Sequence, residues 1–170
     1  MVVYDSLRNT SAEDQIKIID LLRHSSGIGY GWSDNQYLNS KYSEIWKSKN
    51  NAEFVDKVSK IPLFTNPNTE WRYGVNTDIC GYLIEVLSGQ TLDQYLSESI
   101  FEPLGMSDTH FKLPDSKINR FTSNYEFDES SKKLNRVDKY DSGSYSNVTW
   151  FGGGGGLVST TKDYIKCNNI

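Results

Sequence analysis

At 170 residues the chain is long enough to bury one core. Its 36% hydrophobic content describes a polar surface, while 13% aromatic residues, including 11 Tyr and 4 Trp, exclude a disordered polymer. A net charge of −4 with scattered Lys and Arg repels phosphates, so nucleic acid is excluded as a partner.

Cys80 and Cys167 give neither a disulfide framework nor a zinc spacing, and no metal site is expected. Cys80 is expected to be a buried free thiol in a helix. No run approaches the ~18 apolar residues of a membrane span. "MVVYDSLRNT" lacks the basic and apolar regions of a signal peptide. Compartment and oligomeric state are not legible.

In chain order, "IKIIDLLRH" (16 to 24) places apolar residues at 16, 18, 19, 21 and 22. It reads as a short buried strand or turn feeding a short helix, with Gly27 as a left-handed stop. Residues 36 to 60 hold two weaker helical patterns, around Tyr37, Leu38, Ile45 and Trp46, then around Phe54, Val55 and Val58. Pro62 ends the second.

The strongest helix is predicted from about Asn76 to Ser88. Ile79, Leu83, Val86 and Leu87 recur at helical spacing, Asn76 or Thr77 is available as a cap, and "SG" closes the end. Thr91 to Phe101 reads as another helix, opened by a Thr91–Gln94 capping box. From residue 121 the period changes. "FTSNYEF" and "LNRVDKY" alternate around "DESSKK", which predicts a β-hairpin. The run Gly152 to Gly156 and a last helix at "TKDYIK" follow.

Three motifs bear on chemistry. The glycine run lacks the lysine and the preceding strand of a phosphate loop, and it reads as a place where backbone passes close to backbone. Ser159 to Lys162 and Ser130 to Lys133 both match S-x-x-K, in which a lysine one turn on activates a serine. Two fixed positions in four recur by chance. Thr160 with Asp163 is better read as a helix cap, so no nucleophile is assigned in the chain. His24 and His110 have neither a G-x-S-x-G partner nor a metal spacing, and structural roles are expected.

A more specific pattern lies in three ordered segments. "IKIIDLLRHSSGIGYGW" resembles I-T-I-x-D-L-L-x-H-T-S-G-L-x-Y-G, and "NPNTEWRYGVNTDICGYLIEVLSGQTLDQYLSESIFEPLGMSDTHF" resembles P-G-x-x-W-x-Y-S followed by L-I-E-x-x-S-G and P-L-G-M-x-D-T-x-F. "GGGGLVSTTKDYIK" is similar to G-G-G-L-x-S-T-x-x-D-x-x-x-F. These are segments of the serine β-lactamase-like superfamily, which includes class C β-lactamases, D-Ala-D-Ala carboxypeptidase relatives and serine esterases.

The resemblance implies an α+β, β-lactamase/transpeptidase-like fold. In this chain it is mostly the helical domain plus a β-hairpin and a glycine-rich loop. It places Tyr73 as the catalytic tyrosine. A phenol is a poor base at its ordinary pKa near 10, but lysine ammonium groups beside it stabilise the phenolate for proton transfer. The lactamase form has Tyr-x-Asn. Here Val75 stands at that second position and Asn76 one later, as in esterase-type members, which makes Asn76 the candidate substrate-binding amide.

The family's S-x-x-K serine lies upstream of D-L-L-x-H-T-S-G, and its H/K-x-G strand lies downstream of L-x-S-T. The expectation is therefore that residues 1–170 are a partial domain of a serine hydrolase, inactive alone. That hydrolase would cleave small-molecule esters or amides through an acyl-enzyme, without metal or organic cofactor. The alternatives are a β-lactamase or carboxypeptidase-like enzyme, or a non-catalytic binding module on the same fold.

Overall fold

The computed structural model describes residues 1–4, 10–137, 145 and 147–167. They fall into two units, Met1–Tyr95 with Thr149–Gly155, and Leu96–Val148 with Gly156–Ile170.

In the first unit, β1 (Val2–Val3) and β2 (Thr10–Ser11) form a short antiparallel ribbon. Helices α1 (Ile18–Leu22), α2 (Gln36–Ser43), α3 (Asn51–Ser59) and α4 (Asn76–Ser88) follow. Asn35 and Asn50 cap α2 and α3 with their side-chain oxygens, which accept from Leu38 N and Glu53 N. The core is built from Leu38, Tyr42, Ile45, Phe54, Val58 and Leu63. Each such side chain contributes about 1.5–3 kcal/mol by leaving water. Helix α4 packs on α1 and α3, and Gly89, at φ +73°, ends it in the left-handed conformation.

In the second unit, α5 (Leu92–Leu96), which begins in the first, runs into a π-helical turn at Ser97–Phe101. A 3-10 turn at Asp115–Arg120 precedes the hairpin of β3 (Tyr125–Asp128) and β4 (Lys133–Arg136), in register Tyr125↔Arg136 to Asp128↔Lys133. Asp128 organises the hairpin turn by accepting from the Ser130 N–H and from the Ser130 and Ser131 hydroxyls. The last helix is α6 (Thr161–Cys167).

Several local expectations are corrected. The "IKIIDLLRH" segment is helical at its centre, but Ile18, Ile19 and Leu22 are exposed, while Asp20 and Leu21 are buried. On α4 the buried residues are Asn76, Asp78 and Gly81, and Val86 and Leu87 face solvent. Helical spacing marks one face without saying which face the fold covers, and here polar groups with partners take it. Neither Asn76 nor Thr77 caps α4, because Val75 holds the cap position without a side-chain bond.

Regular helix also ends earlier than expected, at Leu96, where the backbone widens into the π turn. Of the Thr91–Gln94 box, a long contact from Thr91 N to Gln94 Oε1 is present, at 3.4 Å. Gly27 is left-handed at φ +79°, but it lies within a loop, and the residue that leaves α1 left-handed is His24, at φ +56°. Cys80 is half-buried, and burial followed by the Asp78 charge pushes its thiol up. The end of the predicted second hairpin strand, residues 138–140, lies outside the described residues.

Candidate functional site

Tyr73 sits on an extended stretch that enters α4 beside the loop leaving α1. Backbone hydrogen bonds stitch the two together: Asn68 N–H to Ser25 O at 2.7 Å, Arg72 N–H to His24 O at 2.8 Å, and Val75 N–H to Gly29 O at 3.1 Å. The stretch passes so close that a Cβ on Gly74 would meet the Ile28 oxygen at 2.2 Å. Glycine at 74 is therefore a steric requirement of this pairing. Gly74 and Val75 are buried, and Tyr73 is turned outward, 52% exposed.

The Tyr73 ring lies nearly parallel to two neighbours, His24 at 5.1 Å and 24° and Tyr30 at 5.6 Å and 23°. Tyr30 in turn packs on Trp32 and Trp46, and Trp71 tilts against His24. Trp32 and Trp71 are largely exposed, so Tyr73 rises from an aromatic surface that is half open to water.

Behind this surface runs a buried polar chain. The Ile28 N–H donates to Ser26 Oγ at 3.1 Å, and Ser26 Oγ–H donates to Asn76 Oδ1 at 2.5 Å. Asn76 Nδ2 lies 3.0 Å from His24 Nδ1. Ser26 and Asn76 are both 0% exposed. Because the Ser26 oxygen already accepts from Ile28, its proton is free for Asn76, and this orients the amide with Nδ2 toward the imidazole. His24 Nδ1 is the ring atom placed to accept from that amide N–H. Asn76, expected on the substrate, stands inside the protein with its amide oxygen on Ser26 and its nitrogen on His24.

The glycine run wraps a carboxylate of its own unit. Gly154 N–H donates to Asp78 Oδ1 at 3.0 Å. A Cβ on Gly153 would stand 2.2 Å from the Thr77 oxygen and 3.0 Å from Gly81 N. This is the close backbone approach expected from the sequence. Burial raises the Asp78 carboxyl above its ordinary range, and the Gly154 N–H opposes the shift.

In the second unit Ser159 Oγ is 2.8 Å from Thr109 Oγ1, with a longer contact to the Thr160 oxygen. No hydrogen bond joins it to Lys162 among the described residues. Thr160 Oγ1 accepts the Asp163 N–H at 3.3 Å, as a helix cap does. Burial pushes the Asp163 carboxyl up, but the Asp108 N–H, Lys166 and Thr109 outweigh it and hold it low. His110 bonds its backbone to Val158 and lies 3.0 Å from Lys117, and burial and that charge lower its imidazole. Ser130 serves the hairpin turn. No group of three His, Cys, Asp or Glu able to hold a metal occurs among the described residues, and no helix among them is long and apolar enough to cross a membrane.

The sequence matches the β-lactamase family over residues 6–167. The chain belongs to the β-lactamase family. It is 31% identical to the ML-236A carboxylate methylbutanoyltransferase of Penicillium citrinum, over 98% of this chain and 40% of that protein. It is 32% identical to the lovastatin esterase of Penicillium rubens, over 54% of this chain and 23% of that one. The unliganded simvastatin synthase of Aspergillus terreus superposes with a TM-score of 0.79 at 26% identity, covering 98% of this chain and 42% of its own. The fold is thus the expected β-lactamase/transpeptidase-like one, and the chain spans about two fifths of the length of these full-coverage relatives.

Sequence reasoning singled out Tyr73 and treated His24 as structural. It missed Ser26 as a partner of Asn76, and Asp78 as the group the glycine loop encloses. Those partners are 50 and 76 residues apart in the chain, and one sequence carries no signal that joins them.

Proposed function

We propose that the whole protein is a serine-dependent acyl hydrolase or acyl transferase acting on small carboxylic esters, with Tyr73 as its proton-transfer group. The observation that carries this reading is the setting of Tyr73, on the stretch that carries the family's tyrosine segment. Its ring is held against His24 and Tyr30 while the residue stays half open to water. The esterase and methylbutanoyltransferase named among the relatives support ester chemistry over lactam chemistry, and the aromatic surface suits an apolar acyl or alcohol group.

In this reading a serine supplied from outside residues 1–170 attacks the ester carbonyl while the Tyr73 oxygen takes its proton. The tetrahedral intermediate collapses, the carbon–oxygen bond to the alcohol breaks, and Tyr73 returns the proton to that oxygen. Water, or a second alcohol, then attacks the acyl-enzyme with Tyr73 again as base, and the serine is released. Backbone N–H groups stabilise the oxyanion. Asn76 contributes from behind the site.

The test is Tyr73→Phe in the full-length protein. It removes one exposed hydroxyl and keeps the ring, so the fold stays. Loss of a proton-transfer group lowers kcat about 10²–10⁴-fold on p-nitrophenyl esters. Tyr82→Phe and Tyr95→Phe should leave kcat near wild type. A folded Tyr73→Phe protein with wild-type turnover would end the reading.

A further inference from the structure

We infer that His24 is a positioning residue for Tyr73, held in place by the buried chain through Ser26 and Asn76. The inference deepens the proposed role of Tyr73 and rests on it for its kinetic consequence.

Three observations converge on the imidazole. Its backbone is locked on both sides, with the N–H bonded to Leu21 O at 3.2 Å and the carbonyl accepting Arg72 N–H at 2.8 Å. Its φ of +56° is a left-handed conformation that residues with a side chain seldom adopt. Such a conformation persists only where surrounding structure over-determines it, and here the neighbours do so. Its ring is fixed by Asn76, an amide buried within α4 whose other end is fixed by Ser26.

A polar chain with no exposed member before His24 therefore ends on a ring lying 5.1 Å from Tyr73 and nearly parallel to it. For packing alone a phenylalanine at 24 would serve. For capping alone, Ser26 and Asn76 would have no reason to reach an imidazole. The arrangement makes sense if the plane of the His24 ring sets the plane of the Tyr73 ring. Without His24 the half-exposed Tyr73 ring keeps Tyr30 but loses the neighbour that the buried chain fixes, and a misplacement of about 1 Å in a reacting group can cost on the order of 10²-fold in rate. His24 touches no reacting atom in this account and acts through Tyr73.

The experiment uses the full-length protein and three variants. His24→Gln keeps a polar group for Asn76 and removes the ring. His24→Phe keeps a flat ring and removes the acceptor. Ser26→Ala removes one hydroxyl at the far end of the chain. The expected result for His24→Gln is a fall in kcat of roughly 10–100-fold with KM within about threefold. His24→Phe should recover part of that loss, and Ser26→Ala should show a smaller fall of the same kind.

A second readout is independent of turnover. In protein carrying ¹³C-labelled tyrosine, the Tyr73 ring signals, assigned by their loss in Tyr73→Phe, should shift in Ser26→Ala, which leaves both rings in place, and not only in His24→Gln, where loss of the His24 ring current by itself moves them. Those of Tyr82 and Tyr95 should stay. If His24→Gln does not fold, Ser26→Ala carries the same two measurements. Folded variants with wild-type kcat and unmoved Tyr73 signals overturn the inference, and with Tyr73→Phe inactive they leave the proposed function standing. A fully active Tyr73→Phe enzyme overturns the proposed function instead, and the ring signals alone then decide whether His24 places Tyr73.

Discussion

Tyr42 ties the stretch that carries Tyr73 to the core, and Tyr42→Phe measures that tie. The side chain is 1% exposed, and its hydroxyl accepts the Gly29 N–H at 2.9 Å. The Gly29 carbonyl in turn accepts from Val75, two residues past Tyr73. Removing the hydroxyl leaves a buried donor without a partner, at a cost of about 1–3 kcal/mol, while the ring still packs. A second contribution depends on pH. Burial pushes the phenol from its ordinary 10.0 up to about 12, against the lesser pull of the Gly29 N–H and Arg72. A pKa raised in the fold gives stability fully present below the unfolded value and lost as pH climbs through the folded one, because the unfolded chain ionises first. At pH 11 the wild type should therefore have lost on the order of 1 kcal/mol that Tyr42→Phe, having no phenol there, does not lose. Urea unfolding at pH 8 and pH 11 should show the variant weaker at pH 8 and the gap narrowed by that amount at pH 11. A gap of the same size at both pH values, or a variant as stable as wild type at pH 8, refutes the reasoning.

Gly153→Ala should destabilise the chain by about 1–3 kcal/mol, because its methyl meets backbone on two sides and backbone cannot swing away. Gly155→Ala, with open space around it, should change the urea midpoint little, and equal effects at the two positions would remove the close-approach account. Asp78→Asn should be more stable than wild type at pH 7, since a carboxylate whose pKa burial has raised costs stability above that pKa. The advantage should shrink as pH falls through the carboxylate range, and thermal melts that show no such convergence would count against it.

Much of the fold is legible because it is local. Helix α4 follows from apolar spacing closed by Ser88–Gly89, and the hairpin follows from alternation around a turn that Asp128 can organise. What is not legible is the choice of face. On α4 the buried positions are Asn76, Asp78 and Gly81, and their burial is favourable only because Ser26, His24, Gly154 and Gly153 are there to meet them. Hydrophobic periodicity reports what a side chain would gain by leaving water. It does not report whether a distant segment brings a hydrogen-bond partner. The same holds for α1, where Asp20 is covered because its carboxylate accepts the Lys17 N–H and the Ser25 hydroxyl, leaving Ile18 and Leu22 outside.

The site divides along the same line. Tyr73 is legible through the resemblance of "NPNTEWRY" to P-G-x-x-W-x-Y, because the residues that carry that resemblance are sequence neighbours. The position of its ring is a tertiary property, set by residues some 50 positions earlier in the chain. Gly74 shows how the two levels join. In the fold it is where the chain presses on the Ile28–Gly29 peptide. That pressing brings Tyr73 beside both His24 and Tyr30. A side chain at position 74 would push the two segments apart, and the rings beside Tyr73 would separate with them. The glycine belongs to the site's geometry although it carries none of its chemistry.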